Sequence, residues 1–268
     1  MKNLNIFKHL RIISLLLCAI SIHSIVYGQE PIKPLTQVNK NFLIVAQIVL
    51  DPTGTSTVDT NAIKSVFLQL NTLFKPISVS FTICEFRYIS NFQYYNLPEP
   101  RENELPVTYM APKRINVFFV SSVVASFIAE CGNAYLGGIT SQAVIVITDP
   151  CIDVSTIGHE MGHCFNLLHT FETINGKELV NESNCTTAGD GLCDTPADPY
   201  VSSPTTNMSD YVNSNCLFIG QQTDANGQYY NPDIGNIMSY YRSCNCVQFT
   251  HDQYERMARY YLSNPVAW

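Results

Sequence analysis

Residues 159–169 read His-Glu-Met-Gly-His-Cys-Phe-Asn-Leu-Leu-His and so hold three histidines within eleven residues. His159 and His163 are four residues apart, so on a helix they lie on one face, one turn from each other. Both imidazoles can then bind a single Zn²⁺. Glu160 follows the first histidine, so it lies beside that metal and can deprotonate a water molecule there.

His169 makes this motif specific, because His-Glu-x-x-His alone arises by chance in amphipathic helices. His169 lies six residues after His163, which is too far for the same helical face, so the chain must turn sharply after the helix. The turn is predicted at Asn166, because Asn is the commonest non-glycine residue in the left-handed conformation that ends many helices. Three histidines leave the fourth zinc position open for water, as in catalytic rather than structural sites.

The N-terminus predicts an exported chain. Three basic residues precede the apolar run 12–20, and small or branched residues follow at 26–28, so residues 1–28 are predicted to be a cleaved signal peptide. The apolar run is too short and too interrupted for a membrane anchor, which needs about 20 apolar residues. We therefore expect a secreted, extracellular protein that passes through a periplasm where the cell has one, with no membrane contact after signal removal.

The remaining composition is typical of a globular, disulfide-bonded protein. Without residues 1–28 the chain has 12 basic and 22 acidic residues, so its net charge changes from −7 to −10. With 46% hydrophobic and 14% charged residues, it is neither a disordered chain nor a nucleic-acid binder, which usually has a basic face. Nine cysteines remain, which predicts disulfides and an oxidising compartment. The odd number leaves at least one thiol unpaired, and Cys164, beside a metal ligand, is the candidate.

Hydrophobic periodicity predicts a mixed α/β sheet in the first half of the chain. Apolar residues at helical spacing predict an amphipathic helix over residues 60–73. Apolar, β-branched or alternating runs predict strands at 41–50, 77–89, 115–124 and 143–148, with a short edge strand at 134–140. The alternation at 77–89 places Ile83 on one face, and Cys84 and Phe86 on the other. The strand–helix–strand order indicates the sheet.

The second half is predicted to be irregular between two helices. The first helix covers residues 155–166, where Ser155 or Thr156 can cap its start. The last covers 251–262, where Thr250 and Gln253 have capping-box spacing. Between them, residues 172–233 carry nine acidic residues and one basic residue, and a loop region of this length needs cross-links to stay compact.

The zinc motif and the segments after it resemble those of the metzincin metallopeptidases, in which His-Glu-x-x-His-x-x-Gly-x-x-His precedes a Met-turn. Asn166 stands at the Gly position of that pattern. Within the metzincins the chain is most similar to the pappalysins. The matching segments lie within about 110 residues, from 155 to 262, and comprise 167–171, 189–196, 236–240 and 249–257.

This resemblance implies an α/β (α+β) fold, a two-lobed metallopeptidase domain over residues 29–268. The upper lobe, about 29–166, would hold a twisted mixed sheet and the active-site helix. The lower lobe, about 167–268, would be irregular, pinned by disulfides, and would end in a helix.

The resemblance also assigns roles to residues. It makes the three histidines zinc ligands, and Glu160 the general base and then the acid. It makes Met238 the hydrophobic floor beneath the metal, although an ordinary core methionine fits that position as well. It makes Tyr240 the residue that stabilises the oxyanion, with a half-buried turn tyrosine as the alternative. His251 has no place in the motif and is interpreted as a surface histidine.

Calcium is a further implication of the resemblance. Oxygen donors on an irregular acidic loop suit Ca²⁺, and the implied ligands are Asp190, Asp194 and Thr195. The alternative is a solvated acidic loop held by disulfides.

Disulfide pairing comes only from the resemblance as well. It implies Cys185–Cys216, and Cys193 bonded to Cys244 or Cys246. Cys131–Cys151 is a further candidate pair.

Together these features predict a monomeric, secreted zinc endopeptidase that acts on proteins or peptides and has no nucleic-acid partner. Two alternatives stay open. One is an inactive zinc-bearing binding module, and the other is a different zinc amide hydrolase that shares only His-Glu-x-x-His.

Overall fold

Two sheets and four helices position the residues of the metal motif. A computed structural model describes residues 33–98, 104–124, 129–138, 144–241 and 248–264. The predicted signal peptide and Cys244 and Cys246 lie outside these residues. In chain order the elements are β1 (Lys40–Val49), α1 (Thr60–Phe74), β2 (Val79–Ile89), β3 (Asn96–Pro98), α2 (Glu104–Tyr109), β4 (Ile115–Val120), β5 (Ser122–Val124), β6 (Ala129–Glu130), β7 (Gly132–Ala134), β8 (Val144–Thr148), α3 (Val154–Cys164) and α4 (His251–Ser263).

The main sheet has five strands in the order β2-β1-β4-β8-β7. Its first four strands are parallel, and β7 pairs antiparallel to β8 at the edge. Parallel strands need both faces covered, and every residue of β4 is buried accordingly. A second sheet joins β3, β5 and β6. The predicted run 115–124 therefore splits at Ser121 into strands of two different sheets.

The predicted edge strand at 134–140 is wrong in its position. The strand is Gly132–Ala134, and the chain leaves the sheet directly after it. Gly137 and Gly138 both have φ of 69°, a left-handed conformation that an extended strand does not use. The two glycines therefore mark a turn rather than a strand.

A bulge changes the faces of β2. Ile44 of β1 pairs with Ile83, but Val45 pairs with Glu85, so Cys84 is the extra residue. An extra residue shifts the alternation of the strand. Phe86 therefore packs against the same core as Ile83, and the prediction that it lies on the opposite face is wrong.

Helices α1 and α3 pack against each other and against the main sheet. The buried face of α1 consists of the apolar residues expected from helical spacing, Ile63, Val66, Phe67, Leu70 and Phe74. Eight of the 11 residues of α3 are buried, so the metal motif belongs to the core of the protein. The chain from Leu35 onwards is one compact unit, and the division into lobes at residue 166 stays a prediction.

The N-cap of α3 differs from the predicted one, whereas its C-terminal turn agrees with the prediction. Its N-cap is Asp153, whose side chain accepts a hydrogen bond of 2.8 Å from the N–H of Thr156. Ser155 lies inside the first turn, so neither Ser155 nor Thr156 is the cap. At the other end Asn166 has φ of 72°, as predicted, and α4 begins with the predicted capping box of Thr250 and Gln253.

The disulfides correct two predicted pairings. Cys131 is bonded to Cys151, as predicted. Cys185 is bonded to Cys193, with their Cα atoms 5.0 Å apart, so the pairings of Cys185 with Cys216 and of Cys193 with Cys244 or Cys246 are wrong. The reason is local, since left-handed glycines at 189 and 191 fold the segment back on itself.

Three further cysteines belong to the described residues. Cys216 is also disulfide-bonded. Cys164 is free and buried, as predicted, and Cys84 is a second free thiol that is exposed.

Residues 165–250 are held mainly by turns and side-chain hydrogen bonds. Their described part contains one short 3₁₀ helix, Met208–Asp210, and isolated β-bridges. This agrees with the predicted irregular region. Among all described residues, no helix is both long and apolar enough to cross a membrane.

Candidate metal centre

Three histidine side chains converge at the end of α3. Nε2 of His163 lies 3.0 Å from Nε2 of His159 and 3.1 Å from Nε2 of His169. The ligand atoms of all three lie within 4.8 Å of one another. The structure thus brings together the three histidines that the sequence places in one motif.

Backbone carbonyls orient the two histidines of α3. Nδ1 of His159 lies 2.7 Å from the carbonyl oxygen of Ile237, and Nδ1 of His163 lies 2.7 Å from that of Leu167. A carbonyl only accepts, so each Nδ1 carries the proton and each Nε2 has its lone pair available. Burial lowers the pKa of His163, opposed by the Leu167 carbonyl and by Glu172.

This donor set fits zinc. Zinc–nitrogen bonds of about 2.0–2.1 Å in a tetrahedron place ligand nitrogens about 3.3 Å apart. The measured separations of 3.0 and 3.1 Å are close to that value. Lone pairs from neutral imidazoles would repel one another at this distance, and a cation between them removes that repulsion.

The turn after α3 brings His169 back to the other two histidines. The N–H of Asn166 donates to the carbonyl of His163, and the N–H of Leu167 donates to that of Gly162, both at 2.9 Å. These two bonds form the Schellman motif, in which the left-handed residue is usually Gly. Asn166 therefore takes the place of that glycine, and its departure from the family pattern leaves the turn intact.

A partly buried carboxylate of the irregular region, Asp198, fixes the chain around His169. Asp198 accepts hydrogen bonds of 2.7 Å from the hydroxyls of Thr170 and Tyr241, and one of 3.0 Å from the N–H of Tyr200. Burial raises the pKa of Asp198, while these three donors oppose that shift. Asp198 thereby ties the residue after His169 to the segment that follows the Met-turn.

Glu160 is in the core, 3% exposed, between the first two histidine ligands in α3. One turn further along the helix, the pKa of Cys164 is raised above its usual range by burial and by the charge of Glu160. Cys164 is therefore a thiol rather than a thiolate, which agrees with its interpretation as a buried structural residue.

Met238 lies directly beneath α3. It is fully buried, and a Cβ placed on Gly162 would lie only 2.5 Å from its Sδ. Asn236 holds this turn, because its Oδ1 accepts from the N–H of Met238 at 2.9 Å and its Nδ2 donates to Gln253 of α4 at 2.9 Å. Gln253, a member of the capping box of α4, thus supports the turn that contains Met238.

Tyr240 lies beside the histidines. Its ring centroid is 4.9 Å from that of His169 and 5.7 Å from that of His159. Phe171 stacks on His169 at 4.7 Å and also contacts Tyr240. These positions place Tyr240 where the predicted role requires it, and the role itself stays a prediction.

The predicted calcium ligands make two sets of hydrogen bonds. Asp190 is buried, and its carboxylate accepts hydrogen bonds of 2.9 Å from the hydroxyl of Thr195. Asp194 accepts hydrogen bonds from the start of α4, from the hydroxyl of Thr250 at 2.8 Å and the N–H of Asp252 at 2.7 Å, and thereby acts as a second cap of that helix. Burial raises the pKa of Asp190 to about 6, and the charge of Asp194 contributes to that shift, so the two carboxylates interact and the calcium site stays a prediction.

His251 belongs to that same helix start. It is partly buried and lies 3.0 Å from Oδ1 of Asp252. Asp194, His251 and Asp252 form a second group of candidate ligand atoms within 4.8 Å of one another. The positive end of the helix dipole disfavours a cation there, so we assign these residues to capping.

Glu178 is a buried carboxylate that belongs to no motif of the sequence. It is 6% exposed, and neither of its oxygens has a hydrogen-bond partner among the described residues. Burial, followed by the charges of Asp190 and Glu182, raises its pKa to about 8. It lines a cavity of about 410 Å³ that also contains Gly189, Asp198 and several tyrosines.

Comparisons with known proteins bear on the fold. No protein-family model matches the sequence, and curated protein sequences give no match. Among solved structures, mature mirolysin of Tannerella forsythia in complex with a cleaved peptide is similar with a TM-score of 0.54 and 16% identity, over 88% of this chain and 100% of that chain. This likeness confirms the mixed α/β fold expected from the sequence.

Two further structures are similar at lower scores. Archaemetzincin of Methanopyrus kandleri has a TM-score of 0.34 and 15% identity, over 48% of this chain and 76% of that chain. Metalloproteinase-II of Bacteroides fragilis has a TM-score of 0.35 and 17% identity, over 55% of this chain and 50% of that chain.

Proposed function

We propose that this chain is a secreted, monomeric zinc endopeptidase that hydrolyses peptide bonds of proteins or peptides, with affinities to the pappalysins. The observation that carries the proposal is the convergence of three imidazole Nε2 atoms, two of them on the helix that also carries the buried Glu160. The fold shared with mirolysin, whose structure contains a cleaved peptide, supports a peptide substrate. The two disulfides suit an oxidising compartment.

Each residue of the site has its own role in the proposed reaction. His159, His163 and His169 would hold zinc, which when bound polarises the scissile carbonyl and lowers the pKa of water to roughly 7. Glu160 takes a proton from the attacking water and gives it to the departing amine. Tyr240 donates a hydrogen bond to the oxyanion of the tetrahedral intermediate.

The experiment compares the wild type with Glu160→Ala on a peptide library read by mass spectrometry. The wild type should cleave internal peptide bonds, and phenanthroline should abolish this cleavage. Glu160→Ala should keep zinc and the melting temperature but lose activity, because only the general base is removed. Glu182→Ala, which removes an exposed carboxylate, is the matched control and should remain active.

Each alternative has its own outcome. Cleavage by Glu160→Ala at the native rate would refute the mechanism. A zinc-loaded wild type that cleaves no peptide would identify an inactive binding module. Hydrolysis of small amides without cleavage of internal peptide bonds would identify another zinc amide hydrolase.

We also propose calcium near Asp190, Asp194 and Thr195, with Glu178 as a further oxygen ligand. Support comes from the two oxygens of Glu178, for which the described residues supply no hydrogen-bond partner, and from the charge of Asp190 close to them. Buried carboxylates without donors favour a cation. Calcium added to calcium-depleted protein in a zinc-containing buffer should raise the melting temperature of the wild type but not of Glu178→Gln, and equal responses would contradict this site.

A further inference from the structure

Strand β7 places a glycine against the carboxylate of Glu160. A Cβ built on Gly132 would lie 2.9 Å from Oε1 of Glu160, 3.0 Å from its Cγ and 3.1 Å from Cδ1 of Ile147. Real Cβ atoms essentially never lie within 3.0 Å of a neighbour, and contacts of 3.0–3.1 Å are tighter than most, so Glu160 and Ile147 would both have to shift. Glu160 therefore occupies the space that a side chain at position 132 would need.

The backbone gives no other reason for glycine at this position. The φ of Gly132 is outside the left-handed region, in contrast to Gly137 and Gly138 in the turn that follows. Gly132 pairs with Ile147 of β8 as an ordinary antiparallel strand residue. An L-residue could thus adopt this conformation, and only the proximity of Glu160 and Ile147 prevents it.

Covalent and hydrogen bonds hold β7 in place relative to α3. Before Gly132, the disulfide joins Cys131 to Cys151, two residues ahead of the N-cap of α3. The carbonyl of Cys131 also accepts a hydrogen bond of 3.0 Å from the N–H of Thr148. After β7, the N–H of Gly137 donates to the carbonyl of His163 at 2.8 Å. The strand is anchored near both ends of the metal-binding helix.

We infer that Gly132 is a positioning residue for Glu160. The backbone at Gly132 limits where the carboxylate of Glu160 can lie. The disulfide before β7 and the hydrogen bond after it keep this backbone in place. This inference rests on the proposed function of Glu160 as general base. A displacement of about 1 Å in a reacting group can reduce the rate by about 100-fold, so a methyl group at this position should act mainly on catalysis.

The kinetic test uses Gly132→Ala with zinc content measured in the same sample. We expect kcat to fall by about 10- to 100-fold, with KM changed by less than about threefold and zinc content unchanged. Asn133→Ala is the matched control, because successive side chains of a strand point to opposite faces, and it should keep the wild-type kcat. Wild-type kcat in Gly132→Ala, or an equal loss in Asn133→Ala, would overturn the inference.

A stability cycle tests the contact without any assay of activity. Gly132→Ala should lower the melting temperature in the wild type, and should lower it clearly less in Glu160→Ala, because the truncated side chain leaves room for the new methyl group. Additive effects in the two backgrounds would overturn the inference.

Ile147→Val separates the two neighbours of the new methyl group. It removes Cδ1 of Ile147 only, so it should not restore the kcat of Gly132→Ala. Full restoration would mean that Ile147, not Glu160, is the group displaced, and would also overturn the inference. If the proposed function itself is wrong, the wild type will cleave no internal peptide bonds. That result differs from every outcome described above.

Discussion

Replacing Glu178 with Gln should change how the stability of the protein depends on pH. The wild-type carboxyl is 6% exposed, and the described part of the chain supplies no hydrogen-bond partner for its oxygens. Its pKa is raised from 4.5 to about 8, first by burial and then by Asp190 and Glu182. In the unfolded chain the same group has an ordinary pKa of about 4.3. The folded state therefore holds a proton that the unfolded state releases over a wide pH range.

The sign of the effect follows from this difference. Below about pH 4.5 both states are protonated, and the contribution of the neutral buried carboxyl is fully present. As the pH rises towards 8, the unfolded chain releases the proton, and unfolding becomes more favourable by about 1.4 kcal/mol per pH unit. Across the window the loss reaches at most about 4–5 kcal/mol. Gln has no proton to release, so the variant lacks this loss.

Urea unfolding at several pH values between about 5 and 8 measures the difference directly. The buffer is free of calcium and contains zinc, so that no calcium competes with the proton. The free energy of unfolding of Glu178→Gln relative to wild type should rise steadily with pH. Thr186→Ala changes an exposed side chain without an ionisable group in the same irregular region, so it should show a difference that does not vary with pH. A constant difference for Glu178→Gln as well would refute the reasoning.

Three further changes address the surroundings of the metal centre. Asn166→Val should lower the free energy of unfolding by about 1–2 kcal/mol, because φ is 72° at this position. Asn166→Gly should change the free energy of unfolding by less than about 1 kcal/mol. Equal effects of the two substitutions in urea unfolding would contradict this reasoning. Gly162→Ala should cost about 1–3 kcal/mol, because its Cβ would lie 2.5 Å from Sδ of Met238, and Met238→Ala should relieve part of that cost in the double variant. Tyr241→Phe should cost about 1–3 kcal/mol by removing a donor from the partly buried Asp198. An unchanged melting temperature would show that this donor is dispensable.

The metal centre could be predicted from sequence because its information is local. The spacing of His159 and His163 already places them on one helical face, and the position of Asn166 specifies where the chain turns back towards His169. The capping box of Thr250 and Gln253 is local in the same way. Each of these features depends on a few consecutive residues and their preferred backbone angles.

The features that sequence did not predict depend on contacts between distant segments. Gly132 is one glycine among 13, and its importance becomes visible only when Glu160 lies beside it. Glu178 resembles any loop carboxylate until folding buries it near Asp190. The disulfide of Cys185 was misassigned because resemblance suggested a distant partner, whereas two glycine turns bring Cys193 close.

The carbonyls of Ile237 and Leu167, which orient two imidazoles, have a consequence for the order in which the protein folds and binds its metal ion. In small zinc domains the ion supplies folding energy, and the apoprotein is unfolded. Here the main chain already orients two of the three rings, so less of the binding free energy of the ion is spent on shaping the site. Under the proposed function, folding and oxidation of the cysteines can then precede the arrival of zinc. The supply of zinc would set when the protein becomes active, and the metal could leave and return without the chain refolding.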